Sequence, residues 1–230
     1  MLSPLGGTSS LDKLAYEKIK DAILTFHFLP NQALIEGELA VQLGISKTPV
    51  RDALMQLERE GLVSRVPFKG TYVSDLNNQD MADIYEIRIE LEGLAIHTAI
   101  QNLTDEDFSR LEGLIEEHDL ALKRREVARA SKINGEFHNL IISRCPNQRL
   151  QKTLLLLDDH LKRYRLLSIA QGKRMEKSIP EHRAIFDALK KRDAGSAEKA
   201  MRSHLESAMK DLYNQDFSEL EQILSKAPDV

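Results

Sequence analysis

Tryptophan is absent, cysteine occurs once, and aromatic residues make up only 5% of the chain. The lone Cys145 excludes an internal disulfide and fits a reducing compartment, so a cytoplasmic location is expected. Low aromatic and glycine content beside abundant Leu, Ala, Glu and Lys favours helices. No apolar run approaches the roughly 20 residues of a membrane span, so no membrane partner is expected. Residues 1–10 carry no basic stretch followed by an apolar one and do not read as a signal peptide; a flexible tail is expected there. Positive charge is not in excess either: the net charge is −4, which argues against a general nucleic-acid coat protein. Nothing resembles a phosphate-binding loop, a Gly-x-Ser-x-Gly elbow or an internal repeat.

What is present is enough chain for two modest domains, 230 residues with 42% apolar and 30% charged. The stretch from Leu34 to Val73 is the most specific. Two short helical patterns flank Leu43-Gly44-Ile45, and a strand–turn–strand pattern follows, the layout of a winged helix-turn-helix. Ser46 is expected to cap the second helix, and Pro49 falls in its first turn, where a missing N–H removes no bond. Val50, Leu54 and Leu57 recur at helical spacing and should face a core. Lys47, Thr48, Arg51 and Met55 fall on the other side, where the start of the second helix of such a motif enters the major groove. Leu62 to Val66 and Thr71 to Val73 read as strands joined by Pro67-Phe68-Lys69-Gly70, a wing with Arg65 and Lys69 near its tip. A winged helix used only for protein contacts is the competing reading. Residues 1–75 hold eight Lys and Arg against nine Asp and Glu, so positive charge is local. Since phosphate neutralisation supplies most DNA affinity, a single copy should bind weakly and two half-sites engaged together should bind well.

A helix from about Lys13 to Phe26, with Leu14, Ile19, Ala22 and Ile23 on one side, precedes the motif. The expected division is a DNA-binding domain at 11–75, a polar linker at 76–79, a helical effector-binding and dimerisation domain at 80–215, and a tail at 216–230. In the helical part the pattern predicts helices near 78–101, from Thr104, at 127–143, 148–170, 178–191 and from Asp193 to about Tyr213. Thr104 is expected to cap with acidic first-turn residues, and Ser178 to Glu181 to form a capping box. Six amphipathic helices should bury a core as an antiparallel bundle, giving a mainly α fold.

Glu38-Leu39-Ala40, then Leu43 to Leu54 and Leu57 to Val63, closely resemble GntR-type bacterial transcription regulators. The helical part resembles the FCD ligand-binding domain of the FadR subfamily, through Glu86-Ile87-Arg88 with Glu92, Phe137-His138, Glu181 to Ile185 and Met201 to Leu205. Six helices rather than seven look like the shorter VanR-like group. The resemblance implies a ligand-responsive regulator, most often a repressor, acting as a homodimer on an inverted-repeat DNA operator. It places Lys47, Thr48 and Arg51 at DNA-reading positions and Gly70 at the wing tip. Lys47 stands where Arg is common, and Gly37 where many members carry a DNA-contacting Arg.

For the C-terminal domain the resemblance implies a divalent metal, Zn or Ni for imidazole ligands, held by His138, His182 and His204. An Asp one turn before the first histidine would complete the set; here that position is Asn134. Spacing alone does not distinguish these histidines from ones hydrogen-bonded within a polar core. His27, His97, His118 and His160 have no such support and read as surface or structural. Arg88 borders a stripe of Ile84, Ile87, Leu91 and Leu94; the resemblance implies that it grips a small carboxylate effector, and an i,i+4 bridge to Glu92 is the alternative. Two other functions stay open at this stage: an effector-independent DNA-binding dimer, and a tris-histidine metal enzyme.

Overall fold

The computed structural model describes residues 11–172 and 177–213. The expected tails at 1–10 and 216–230 lie outside the described residues. The chain divides into two compact units between Asp75 and Leu76.

In the first unit α1 (Leu11–Leu24) is followed by β1 (Ala33–Leu34), α2 (Glu36–Leu43), α3 (Lys47–Arg59), β2 (Val63–Val66) and β3 (Gly70–Val73). The strands form an antiparallel sheet in the order β1-β3-β2, with Val63 opposite Val73 and Ala33 opposite Tyr72. Sequence reasoning missed β1 because it is only two residues long, too short for an alternation to register. Ile19, Ile23, Leu39, Val50, Leu54, Leu57 and Leu62 close the core. Leu14 is a correction: it is 52% exposed, and Ala15 takes its place, because Ala15, Ile19 and Ile23 share one face at four-residue spacing. Tyr16 Oη donates to Glu60 at 2.8 Å and Lys20 Nζ to the same carboxylate at 3.1 Å, tying α1 to the end of α3. Gly44 turns the chain between α2 and α3 at φ +66, a left-handed conformation that suits glycine. Ser46 occupies the N-cap position of α3, but its hydroxyl makes no capping bond.

The second unit holds six described helices: α4 (Asn78–Ala99), α5 (Asp105–Lys123), α6 (Val127–Ser143), α7 (Gln148–Ala170), α8 (Ser178–Lys190) and α9 (Ala194–Tyr213). α4 begins inside the segment read as linker, because Asn77 Oδ1 accepts the Asp80 N–H at 2.7 Å and caps it. α4 packs on α9, α7 and α6, and α5 on α6 and α8. Gly93 of α4 leaves room for the Arg202 side chain of α9, since a Cβ there would lie 2.8 Å from Arg202 Nε. Thr104 and Asp107 form a reciprocal capping box on α5, and Arg144 grips Asp107 from the end of α6 at 2.6 and 2.8 Å. Asp193 accepts the Ser196 N–H at 3.0 Å and starts α9. The capping box expected on α8 does not form; Ser178 lies inside the helix and is buried. The α4 stripe is also corrected. Ile87 and Leu94 face outward, whereas Arg88 and Glu92 are 2% and 1% exposed. These charges go inside because each finds a buried partner, as described below.

Candidate functional site

On the first unit, α3 carries Lys47, Thr48 and Arg51 on its exposed side while Val50, Leu54 and Leu57 are buried. Arg51, Arg65, Lys69 and Gly70 line one open groove between α2, α3 and the wing; Lys47 and Thr48 stand at the start of α3. Arg51 is held by Glu36, its Nε 3.1 Å from both carboxylate oxygens and Nη2 2.8 Å from one. That bond, with Arg65 and Lys47 nearby, lowers the Glu36 pKa. A Cβ at Gly37 would sit 3.5 Å from Lys47 Cε, so Lys47 folds over the position where an arginine was expected. Gly70 has φ +122, which lets the wing turn tightly.

In the second unit His138 of α6, His182 of α8 and His204 of α9 converge. One ring nitrogen of each lies within 4.8 Å of the others, and all three are buried. His138 Nε2 and His204 Nε2 are 3.2 Å apart. Behind them, His138 Nδ1 is 2.7 Å from Glu92 Oε2, and His204 Nδ1 is 2.8 Å from Glu181 Oε2. Carboxylates accept from the Nδ1–H of each ring, which leaves both Nε2 lone pairs turned toward one another. Two lone pairs at that distance repel unless a cation or a shared proton sits between them. Carboxylates placed behind histidines in this way orient ligands and raise their basicity in metal sites. The donor set therefore fits a transition-metal ion, with His138, His182 and His204 as the residues to hold it. Asn134 lines the adjoining cavity with His138 and His204.

Arg88 lies within this centre. Its Nε donates to Glu92 Oε1, and Nη1 is 3.2 Å from Asp158 Oδ1. Arg165 Nη1 reaches the same Asp158 oxygen at 2.5 Å. Burial would push the Glu92 carboxyl up, but Arg88 and His138 outweigh it and hold it at about 2. Burial acts on Asp158 in the same way, and Arg165 and Arg88 hold its carboxyl well below the usual range. The i,i+4 bridge is thus real but buried, and Arg88 also lines a cavity of about 40 Å3 beside the histidines. That volume exceeds what one water needs. His118, read as surface or structural, is buried and lines the cavity, its ring centre 5.4 Å from that of His182. Sequence reasoning missed Asp158, Arg165 and the carboxylates behind the histidines. Asp158 and Arg165 lie at the ends of the run Asp158-Asp159-His160-Leu161-Lys162-Arg163-Tyr164-Arg165, where charge is dense, so no local signal singled them out.

A family model for the FCD domain matches residues 83–207, and one for bacterial regulatory proteins of the gntR family matches residues 11–73. The chain is 29% identical over 212 residues to an uncharacterised HTH-type transcriptional regulator, YdhC, of Bacillus subtilis, covering 92% of this chain and 91% of that protein. It is 26% identical to the HTH-type transcriptional repressor RspR of Escherichia coli, over 88% of this chain and 89% of the repressor. Among solved structures, McbR/YncC of E. coli aligns with a TM-score of 0.79 at 25% identity, covering 90% of this chain and 99% of that one. A GntR regulator of Rhodococcus aligns at 0.72 and 20% identity, over 95% and 99%, which speaks to the fold. The chain belongs to the gntR family of bacterial regulatory proteins, in the FadR-like subfamily with an FCD domain, and is a helix-turn-helix transcription regulator rather than an enzyme.

Proposed function

We propose that the protein is a cytoplasmic, homodimeric repressor that binds a short inverted-repeat operator and releases it when a small carboxylic acid enters the FCD domain. The observation that carries this reading is the convergence of three buried histidines, two of which, His138 and His204, line a cavity that Arg88 also lines. His138, His182 and His204 hold a divalent ion, Zn or Ni, with the Asn134 amide oxygen as a further, uncharged donor. When bound, that ion supplies a Lewis-acidic point for a carboxylate. Arg88 offers its remaining N–H donors from the same wall while Glu92 and Asp158 fix its guanidinium and balance its charge. Lys47, Thr48 and Arg51 read the major groove, and Arg65, Lys69 and Gly70 of the wing contact the backbone. Six helices in the described FCD unit agree with the VanR-like group. RspR being a repressor supports the sign.

Two symmetric half-sites need two copies. Ile87 and Leu94 on α4, with Leu155 and Leu156 on the neighbouring α7, leave apolar surface for the second one. An effector-independent dimer would not need the cavity. The acid acts through different affinity for the two arrangements of the dimer. Metal analysis and operator gel shifts test the reading. Wild type should carry about one divalent ion per chain as judged by its three-imidazole donor set, His182→Ala should lose it, and the acid response should go with it. Absence of metal from every preparation, including one refolded with Zn, would overturn the metal assignment.

A further inference from the structure

The cavity beside the histidines has a second polar wall that metal binding does not use. Arg165 and Ser168 come from α7, and Ser178 from the first turn of α8. They are 9%, 2% and 3% exposed, and all three line the same cavity as His138 and His204. Among the described residues, Ser168 Oγ, Ser178 Oγ and Arg165 Nε have no hydrogen-bond partner. The two ends of the Arg165 guanidinium bind Asp158 at 2.5 and 3.3 Å, which fixes the group and leaves its Nε atom without a partner.

A buried donor left unmet disfavours folding by about tenfold or more, so three on one cavity wall call for a ligand that meets them. Charge narrows its chemistry. Arg88 and Arg165 are balanced by Glu92 and Asp158, so this wall has no surplus positive charge for a second carboxylate. Two hydroxyls that both donate and accept, beside one N–H donor, suit a neutral hydroxyl oxygen. Leu122, Ile169 and Leu205 face the cavity as well and suit a short carbon skeleton.

We propose that Arg165, Ser168 and Ser178 form a hydroxyl subsite, so that the acid bound beside the histidines is a small hydroxy acid rather than a plain aliphatic one. This rests on the preceding reading that an acid binds there at all. Its carboxylate lies toward the histidines and Arg88, and its hydroxyl toward the serines.

Calorimetric titration of the full-length, Zn-loaded protein with two matched pairs tests this: lactate against propionate, and 3-hydroxybutyrate against butyrate. Each hydroxy acid should bind about tenfold or more tightly than its partner, because the aliphatic acid leaves the subsite unmet. Ser168→Ala combined with Ser178→Ala should erase the preference while metal content stays at the wild-type level. Its ligand-free melting temperature should stay level or rise, since an unmet hydroxyl has been removed. Equal affinities within each pair in wild type, or a preference that survives the double substitution, would overturn the subsite. A clear fall in melting temperature would also do so, by showing that the hydroxyls hold the fold. If neither kind of acid binds wild type, the acid-effector reading itself falls and the subsite falls with it.

Discussion

Glu92 joins the two halves of the buried centre: one oxygen accepts from Arg88 and the other from His138. Its carboxyl is held at about 2 in the folded protein against an ordinary 4.5, because Arg88 and His138 outweigh the cost of burial. The folded pKa is depressed, so the unfolded chain binds the extra proton between those values. The stability that Glu92 contributes is therefore complete above about pH 4.5 and falls as pH drops toward 2. Its size is of order 3 kcal/mol. Glu92→Gln should lower stability at pH 7 by about 3–5 kcal/mol, since it leaves Arg88 with one partner fewer in the interior. The gap between variant and wild type should then shrink by pH 3. Urea denaturation followed by circular dichroism at both pH values measures this; a gap that does not change with pH would show that Glu92 is not ionised there. On the first unit, the proposed contact with DNA requires Arg51 to leave Glu36. Arg51→Ala should weaken the specific operator by about 1–3 kcal/mol if Arg51 reads a base, with a much smaller effect on unrelated DNA. Equal losses on both sequences, read by gel shift, would reduce Arg51 to a phosphate contact.

The turn between α2 and α3 sets the angle at which the reading helix stands, and it depends on one residue. Gly44 sits at φ +66, and nothing lies within 4 Å of where its Cβ would be. Gly44→Ala should therefore cost about 1–2 kcal/mol through backbone strain alone. Gly44→Asn, which tolerates that conformation better, should cost less; thermal unfolding of both variants ranks them. Elements of this kind were legible from local chemistry. Val50, Leu54 and Leu57 mark the inner face of α3, and Thr104 with Asp107 marks the start of α5, because periodicity and capping act within one turn. The α4 stripe was misread for the converse reason. Arg88 and Glu92 are polar by type but buried by partners on α6 and α7, 46 and 70 positions away in the chain. Ser178 was misread likewise: Ser-x-x-Glu matches a capping box, yet the Ser178 hydroxyl lies against a cavity and Glu181 binds His204. The histidine cluster was reachable only through family likeness, since three residues on three helices leave no local spacing to read. The wall of Arg165, Ser168 and Ser178 left no trace in sequence at all, because hydroxyls without partners are defined only by what surrounds them.

For the whole molecule, affinity for DNA is a question of copies. The chain carries a net charge of −4, and the first unit is no more basic than the rest, so one winged helix neutralises few phosphates. Linking two of them makes the second contact effectively intramolecular and raises overall affinity without new chemistry. The exposed apolar side chains of α4 and α7 are the candidates for that link, and Leu94 is 48% exposed on the α4 face that also carries Ile87. Leu94→Glu places a charge there without touching the core, so the chain should remain folded. Sedimentation should show a monomer at concentrations where wild type is a dimer. Affinity for the full inverted repeat should fall by about a hundredfold, the lower end of what linkage contributes, and the slope of log affinity against log salt should roughly halve as one set of phosphate contacts is lost. Binding to an isolated half-site should be unchanged, because the reading helix is intact. If Leu94→Glu stays dimeric and keeps its operator affinity, the link lies elsewhere on the chain. If it becomes monomeric and still binds the full repeat as tightly, a single winged helix suffices, and the weak local basicity is made up by direct base contacts.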